Sequence, residues 1–281
     1  MIHFGEQLVE DFKMKKYFFK TIALFVVLFL LAGCKSSEYR AAKKSFEEAV
    51  LAVSEKNSKL DSAIMSAQQL IAKGEPALDD ALVTALSASI DNAKTLRCEV
   101  PEMPSTASDI NSVTSQLNSV DYSTILEDIV SKQSALELSI KQYSKVNAPT
   151  EEYVISCLES IEDILDIEAV TEDNDPNGNL NKAGGYTSQV YFSCKLINQS
   201  DVYGTSVIDK GTDCGGSIEV YSTPKDATSR NEYLATFDGS IFSSGSHRVV
   251  GTVIVRTSDK LTASQQKALE SEIISALTKV D

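Results

Sequence analysis

"HRVVGTVIVRTSDKLTASQQKALESEIISALTKV", residues 247 to 280, holds both ingredients of the architecture in one stretch. Its first twelve residues, His247 to Ser258, are rich in β-branched side chains and read as the strongest strand of the chain. The remainder reads as an amphipathic helix with Thr262 as its N-cap. Working backwards, "PKDATSRNEYLATF" (224–237) is a helix and "SIEVYS" (217–222) a strand. A long polar loop separates that strand from "YTSQVYFSCKL" (186–196), which is β-branched and aromatic. "IEAVT" (167–171) is a further strand, and "EEYVISCLESIEDIL" (151–165) a helix with Thr150 as its cap and Tyr153 at its third position. The order α-β-β-β-α-β-α makes the rear of the chain an α+β domain, with helices layered on a mainly antiparallel sheet.

The front is different. From Ser36 to about Ala148 strand signals are absent, and the only glycine is Gly74. One helix is expected from Glu38 to Lys73, with Leu60, Ile64, Ala67 and Ile71 on one face, stopped by Gly74 and Pro76. A second, Pro76 to Arg97, carries Leu78, Leu82, Leu86, Ile90 and Ala93. After "EVPEMPST", apolar residues recur at three and four from Ile110 to Val120 and again from Leu126 to Tyr143. As one helix from Ala107 to Ser144 they would span about 57 Å, and a kink near Asp121 is equally compatible with the pattern. Each stripe must be buried against another, so a helical bundle is expected over residues 34–148, with the α+β domain over 149–281.

Residues 1–33 set an address. Lys15, Lys16 and Lys20 precede the apolar run "TIALFVVLFLL" (21–31), which is too short to span a bilayer as a helix. A positive region followed by a short apolar one is the pattern of an export signal. The run ends in "LAGC", Leu31 to Cys34, which resembles the lipobox of bacterial lipoproteins. That resemblance implies a diacylglyceryl group on the Cys34 thiol, cleavage before Cys34, and attachment to the cell membrane on its extracellular side, or to a periplasmic or outer-membrane face in a Gram-negative envelope. Two acyl chains suffice for stable anchoring. The acidic segment before Met14 does not suit a signal, so Met14 is a candidate start.

Taking the four basic and three acidic residues of 1–33 from 26 and 40 leaves 22 and 37, a net charge of −15. Such a surface repels nucleic acid. Four cysteines remain beyond Cys34, an even number that fits two disulfides in an oxidising compartment. Of the three connectivities, Cys194–Cys214 and Cys98–Cys157 are expected. No Cys/His cluster of zinc-site spacing is present.

"KLDSAIMSAQQLIAKG", "LVTALSASIDNAKTL" and "ASDINSVTSQLNSV" resemble one copy of a FIVAR module over about Asn57 to Val120. The resemblance implies a helical spacer or binding surface, with a cell-envelope or host-matrix protein as partner. Over about Leu165 to Leu277, "TEDNDPNGNLNKAGGYTSQVYF", "GTDCGGSIEVYSTPKDATSRNEYL" and "SGSHRVVGTVIVRTSDKLTASQQKALE" resemble a rear module recurring in Gram-positive surface lipoproteins. No activity comes with it.

Individual sites argue for little chemistry. Asp173, Asp175, Asn177 and Gly178 reproduce the front of a calcium loop, but the twelfth position is Gly184 where a bidentate Glu belongs. A Pro/Asn/Gly turn is the preferred reading. His247 is the only histidine after Cys34 and is expected to be an exposed strand-start residue. Its neighbour Ser246 must face the other way, so the two form no catalytic pair. "GTDCGG" lacks the lysine of a phosphate loop and reads as a turn holding a disulfide. Tyr186, Tyr191, Tyr203, Tyr221 and Tyr233 suit a core better than a sugar platform, and the chain has no tryptophan. No cofactor or catalytic residue is expected. The chain reads as a non-enzymatic, lipid-anchored surface protein with a structural, adhesive or partner-binding role. A lipoprotein for sugar, peptide or a divalent metal is the alternative, and a cell-wall hydrolase a more distant one.

Overall fold

The structure is a computed structural model that describes residues 36–240 and 245–280. The export signal and Cys34 lie outside the described residues. Two compact units are present. The smaller comprises the described residues up to Lys59 together with Arg97–Asp121; the larger comprises Leu60–Leu96 and the described residues from Tyr122 onward.

In the smaller unit, helix α1 (Ser37–Ala72) starts where Ser36 Oγ accepts from the Tyr39 amide at 3.3 Å. Ala42, Phe46, Ala49 and Val53 recur at spacings of four and three, which gathers them on one face. That face packs against Ile110 and Leu117 of a short helix, Ala107–Asn118. Asn57 Nδ2 donates to Cys98 O at 2.8 Å, and Lys56 Nζ to Val120 O, which pins one end of the unit. Cys98 and Met103 of the irregular Pro-containing segment, with Ala107, Val113 and Val120, pack against the same cluster.

In the larger unit, Gly74 ends α1 with φ of +63°, a conformation that side chains resist. α2 (Ala81–Leu96) begins five residues later than Pro76, because Asp79 Oδ1 accepts from the Ala81 amide at 3.0 Å and caps it there. The apolar pattern from Ile110 to Tyr143 is two helices: α3, the Ala107–Asn118 helix already described, and α4 (Ser123–Lys145). The Ser119 amide bonds back to Ser115 O and Gln116 O, and the chain leaves the helix before Tyr122. Leu60, Ile64, Ala67 and Leu70 of α1, Leu86, Ile90 and Ala93 of α2, and Ile125, Ile129 and Leu136 of α4 are buried.

The rest of the larger unit is an α+β fold. Its elements are α5 (Glu151–Glu159), β1 (Ile164–Ala169), β2 (Tyr186–Cys194), a one-turn α6 (Val207–Lys210), β3 (Gly215–Tyr221), α7 (Pro224–Ala235), β4 (His247–Val250), β5 (Val253–Thr257) and α8 (Ala263–Leu277). The five strands form an antiparallel sheet in the order β1-β2-β3-β5-β4. Residues 247–258 are therefore a hairpin rather than a single strand. Gly251, with φ of +63°, reverses the chain between β4 and β5.

Alternation sends Val190, Phe192, Ile218, Val220, Val253 and Val255 to one face, where α5 and α8 cover them with Val154, Leu158, Leu269, Ile273 and Leu277. Val146 belongs to this core as well. Its carbonyl accepts from the Thr252 amide at 2.9 Å and the Thr252 hydroxyl at 3.2 Å, tying the end of α4 to the hairpin. The other face is covered by α7, α6 and the 171–185 loop, so the sheet is sandwiched on both sides.

Candidate functional site

The second face of the sheet is polar where its position predicts apolar residues. Register aligns Glu168, Tyr191, Ser217, Arg256 and His247 in one row across all five strands. The adjoining row carries Gln189, Glu219, Ile254 and Val249. At its centre Glu219 is 0% exposed. Arg256 Nη1 donates to its Oε1 at 2.9 Å, Arg230 of α7 donates Nε and Nη2 at 3.0 and 3.3 Å, and Tyr221 Oη donates at 2.6 Å. Burial works to raise the Glu219 carboxyl, but the positive charges of Arg256 and Arg230 outweigh it and hold it below the ordinary range. Burial, and then the Glu219 charge, push Tyr221 upward. A carboxylate so fully bonded has no lone pair to spare for a substrate proton. The cluster pins α7 to the sheet.

The 171–185 loop joins the same layer. Asp175 accepts from the Asn177 amide at 2.9 Å, the Leu180 amide at 2.8 Å and the Tyr186 hydroxyl. Asn177 Nδ2 reaches Gln189 Oε1 at 3.3 Å. Desolvation opposes the charge on Asp175, yet the bonds from Tyr186, Leu180 and Asn177 win and hold its pKa at about 2. The carboxylate thus does for the loop what a cation does in a calcium loop. Among the described residues no His/Cys/Asp/Glu group is arranged to hold a metal.

A pH dependence follows from Asp175. Its folded pKa is depressed below the unfolded value of about 3.9, so its contribution is present above that value and is lost as pH falls towards 2. Asp175→Asn is expected to lower stability by about 1 kcal/mol at neutral pH. Melting curves of the two proteins should converge between about pH 4 and pH 2. A gap unchanged at pH 2 would mean that the charge is irrelevant.

The other expected sites are dispersed. His247 is not an exposed strand-start residue: its side chain is 9% exposed, with Nδ1 2.8 Å from Asn231 Oδ1 and Nε2 3.2 Å from Asp238 Oδ1. α7 and the residues after it close over the imidazole, which propensity along β4 does not disclose. Ser246 points to the opposite face, where its hydroxyl meets Glu270 Oε2 at 3.0 Å. Tyr186, Tyr191 and Tyr221 are core residues, whereas Tyr203 and Tyr233 are exposed, so the five form no common platform.

Neither expected disulfide is formed in the structure; Cys98, Cys157, Cys194 and Cys214 are thiols. Cys157 Sγ turns to Ala276 O at 3.6 Å and Cys98 Sγ to Glu99 O at 3.6 Å. The register that pairs Ser193 with Gly215 does bring Cys214 beside the end of β2, and Gln199 Nε2 donates to both Cys194 O and Cys214 O. Cys214 Sγ nevertheless turns to Gly211 O at 3.2 Å and Phe192 O at 3.5 Å, and burial pushes it up to about 11. The last two glycines of "GTDCGG" serve packing: a Cβ on Gly215 would lie 2.4 Å from Phe192 O, and one on Gly216 2.1 Å from Arg256 O.

Glu219, Arg230, Arg256 and Gln189 were not singled out by sequence. The available signal was a lone acid inside "SIEVYS" and a lone base inside "VIVRTS", both in otherwise uncharged strands. Among the described residues no helix is long and apolar enough to cross a membrane. Comparison with known protein families, curated sequences and solved structures finds no match.

Proposed function

We propose that this protein is a lipid-anchored component of a bacterial cell surface that acts by holding a partner rather than by catalysis. The observation that carries this reading is the sequence of positive patch, eleven-residue apolar run and "LAGC" ending at Cys34. The acidic net charge argues against nucleic acid as the partner class, and the FIVAR resemblance points to an envelope or matrix protein. The spending of Glu219, Arg230 and Arg256 on one another, and the divergence of Ser246 from His247, support a non-enzymatic role.

A ligand-binding lipoprotein is the second reading. It draws on Ser217 Oγ and Gln189 Nε2, two buried polar atoms of the sheet face without a hydrogen-bond partner. A thermal-shift screen of wall fragments, sugars and divalent ions tests it.

The anchor is tested by Cys34→Ala. The parent is expected to partition into detergent and to yield an N-terminal peptide bearing a diacylglyceryl mass. The variant should be released or accumulate uncleaved. A variant still cleaved and still partitioning into detergent like the parent defeats the proposal.

A further inference from the structure

The sheet of the larger unit ends at β1 and at β4, and the two ends differ. On β4, Asn231 and Asp238 close over His247, and Val250 is buried. None of the six residues of β1 is buried, whereas β3 and β5 are buried at every position. The Asp166 and Val170 amides both turn towards β2, donating to Ser193 Oγ at 3.0 Å and Gln189 O at 2.8 Å. Backbone polar groups alternate in direction along a strand, so the N–H and C=O of Ile167 and Ala169 point away from the sheet. Among the described residues no group hydrogen-bonds to them from that side. Such an edge is a template for an added strand.

The period of two gives the edge a different chemistry on each face. Ile167 and Ala169 belong to the apolar face covered by α5 and α8, and Leu165 beside them is 55% exposed. Glu168 lies in the row of Tyr191 on the other face, where Asp166 also meets the Ser193 hydroxyl at 3.4 Å. Residues 159–175 hold eight acids and no base. Lys195 answers Glu162 and Asp163 at 3.0 and 2.7 Å, and Asp175 is spent inside its own loop. Asp166, Glu168, Glu172 and Asp173 have no basic partner among the described residues. A second copy of β1 laid against this edge would set acid against acid, which is unfavourable across a strand pair.

We propose that the outer edge of β1 takes up an extended segment of a partner protein in which lysine or arginine alternates with apolar residues. Its backbone continues the ladder at Ile167 and Ala169, its apolar side chains extend their face, and its cations meet Asp166 and Glu168. This rests on the reading of the protein as one that holds a partner, and it gives that partner a chemistry.

The test follows residue-resolved hydrogen exchange of the full chain in neutral detergent, with a synthetic peptide alternating lysine and valine as the probe. The Ile167 and Ala169 amides are expected to exchange readily in the protein alone and to slow by about tenfold or more with the peptide, while Val170, already bonded to β2, changes little. A peptide alternating glutamate and valine should have no effect. The lysine peptide with N-methylated valines keeps its charge but loses its donors, and should have none either. Asp166→Lys should weaken the protection that the lysine peptide gives. Protection by the acidic or the N-methylated peptide equal to that by the parent peptide, or no protection by the parent peptide, overturns the proposal. So does slow exchange of these amides in the protein alone, and a dependence on protein concentration would then make a second copy the occupant. None of these outcomes touches the anchor, whereas an N-terminal peptide without an acyl mass defeats the anchored reading and leaves the edge as measured.

Discussion

Glu219→Ala is expected to unfold the larger unit's sheet at temperatures the parent withstands. The carboxylate is fully buried and compensates two arginines, Arg256 from β5 and Arg230 from α7. Removing one partner of a buried ion pair costs about 3–5 kcal/mol, because the remaining charge is left without either water or a counter-ion. That is a large part of the about 5–15 kcal/mol that holds a typical domain together. Glu219→Gln keeps the shape and two polar atoms yet loses the charge, so it should fall between parent and alanine. Chemical denaturation followed by circular dichroism measures all three. If Glu219→Ala melts within about 0.5 kcal/mol of the parent, as a surface substitution would, the cluster does not hold the sheet.

The second large effect is expected at Gly251. A Cβ there would lie 2.5 Å from Val146 O and 2.8 Å from Val146 Cγ2, and the residue has φ of +63°. Gly251→Ala thus meets two obstacles, a left-handed backbone worth about 1–2 kcal/mol and a collision with the chain that leaves α4. Relief by moving Val146 away breaks its bonds to the Thr252 amide and hydroxyl. A loss of about 2–4 kcal/mol is expected. Gly251→Asn separates the causes, since asparagine tolerates this backbone but carries the same Cβ. If the asparagine variant is as stable as the parent, backbone strain is the whole effect and the contact with Val146 gives way freely.

Much of this fold is legible along the chain because local chemistry fixes it. Thr150, Thr223 and Thr262 each accept from the amide three residues on, at the start of α5, α7 and α8, and the strands at 186–194 and 215–221 lie within one or two residues of their β-branched runs. The misreadings occur where a partner distant in sequence decides. The break of 247–258 into a hairpin depends on Val146 meeting Thr252, and the burial of His247 depends on Asn231 and Asp238. The polar layer was hidden for the same reason: Glu219 and Arg256 become partners only once β3 and β5 are neighbours. The break after Ser119, which apolar periodicity leaves open, is made by local bonds from the Ser119 amide to Ser115 O and Gln116 O. The cysteine expectation counted residues, whereas the direction of each thiol depends on which carbonyl lies nearest.

The strand order also governs how the chain can assemble. β3 is made well before its second neighbour β5, with α7 and β4 synthesised between them. Until residues beyond Val253 arrive, β3 is an open sheet edge, "GGSIEVY", with Glu219 as its single charge. An uncovered edge of this composition is a template for pairing with another chain. Contacts between residues this far apart in sequence also form slowly. Arg256 closes that edge and neutralises Glu219 in one step, so a chain that stalls or is clipped before β5 is left both sticky and charged at its centre, a species for the cell's proteases to remove rather than a shorter working protein.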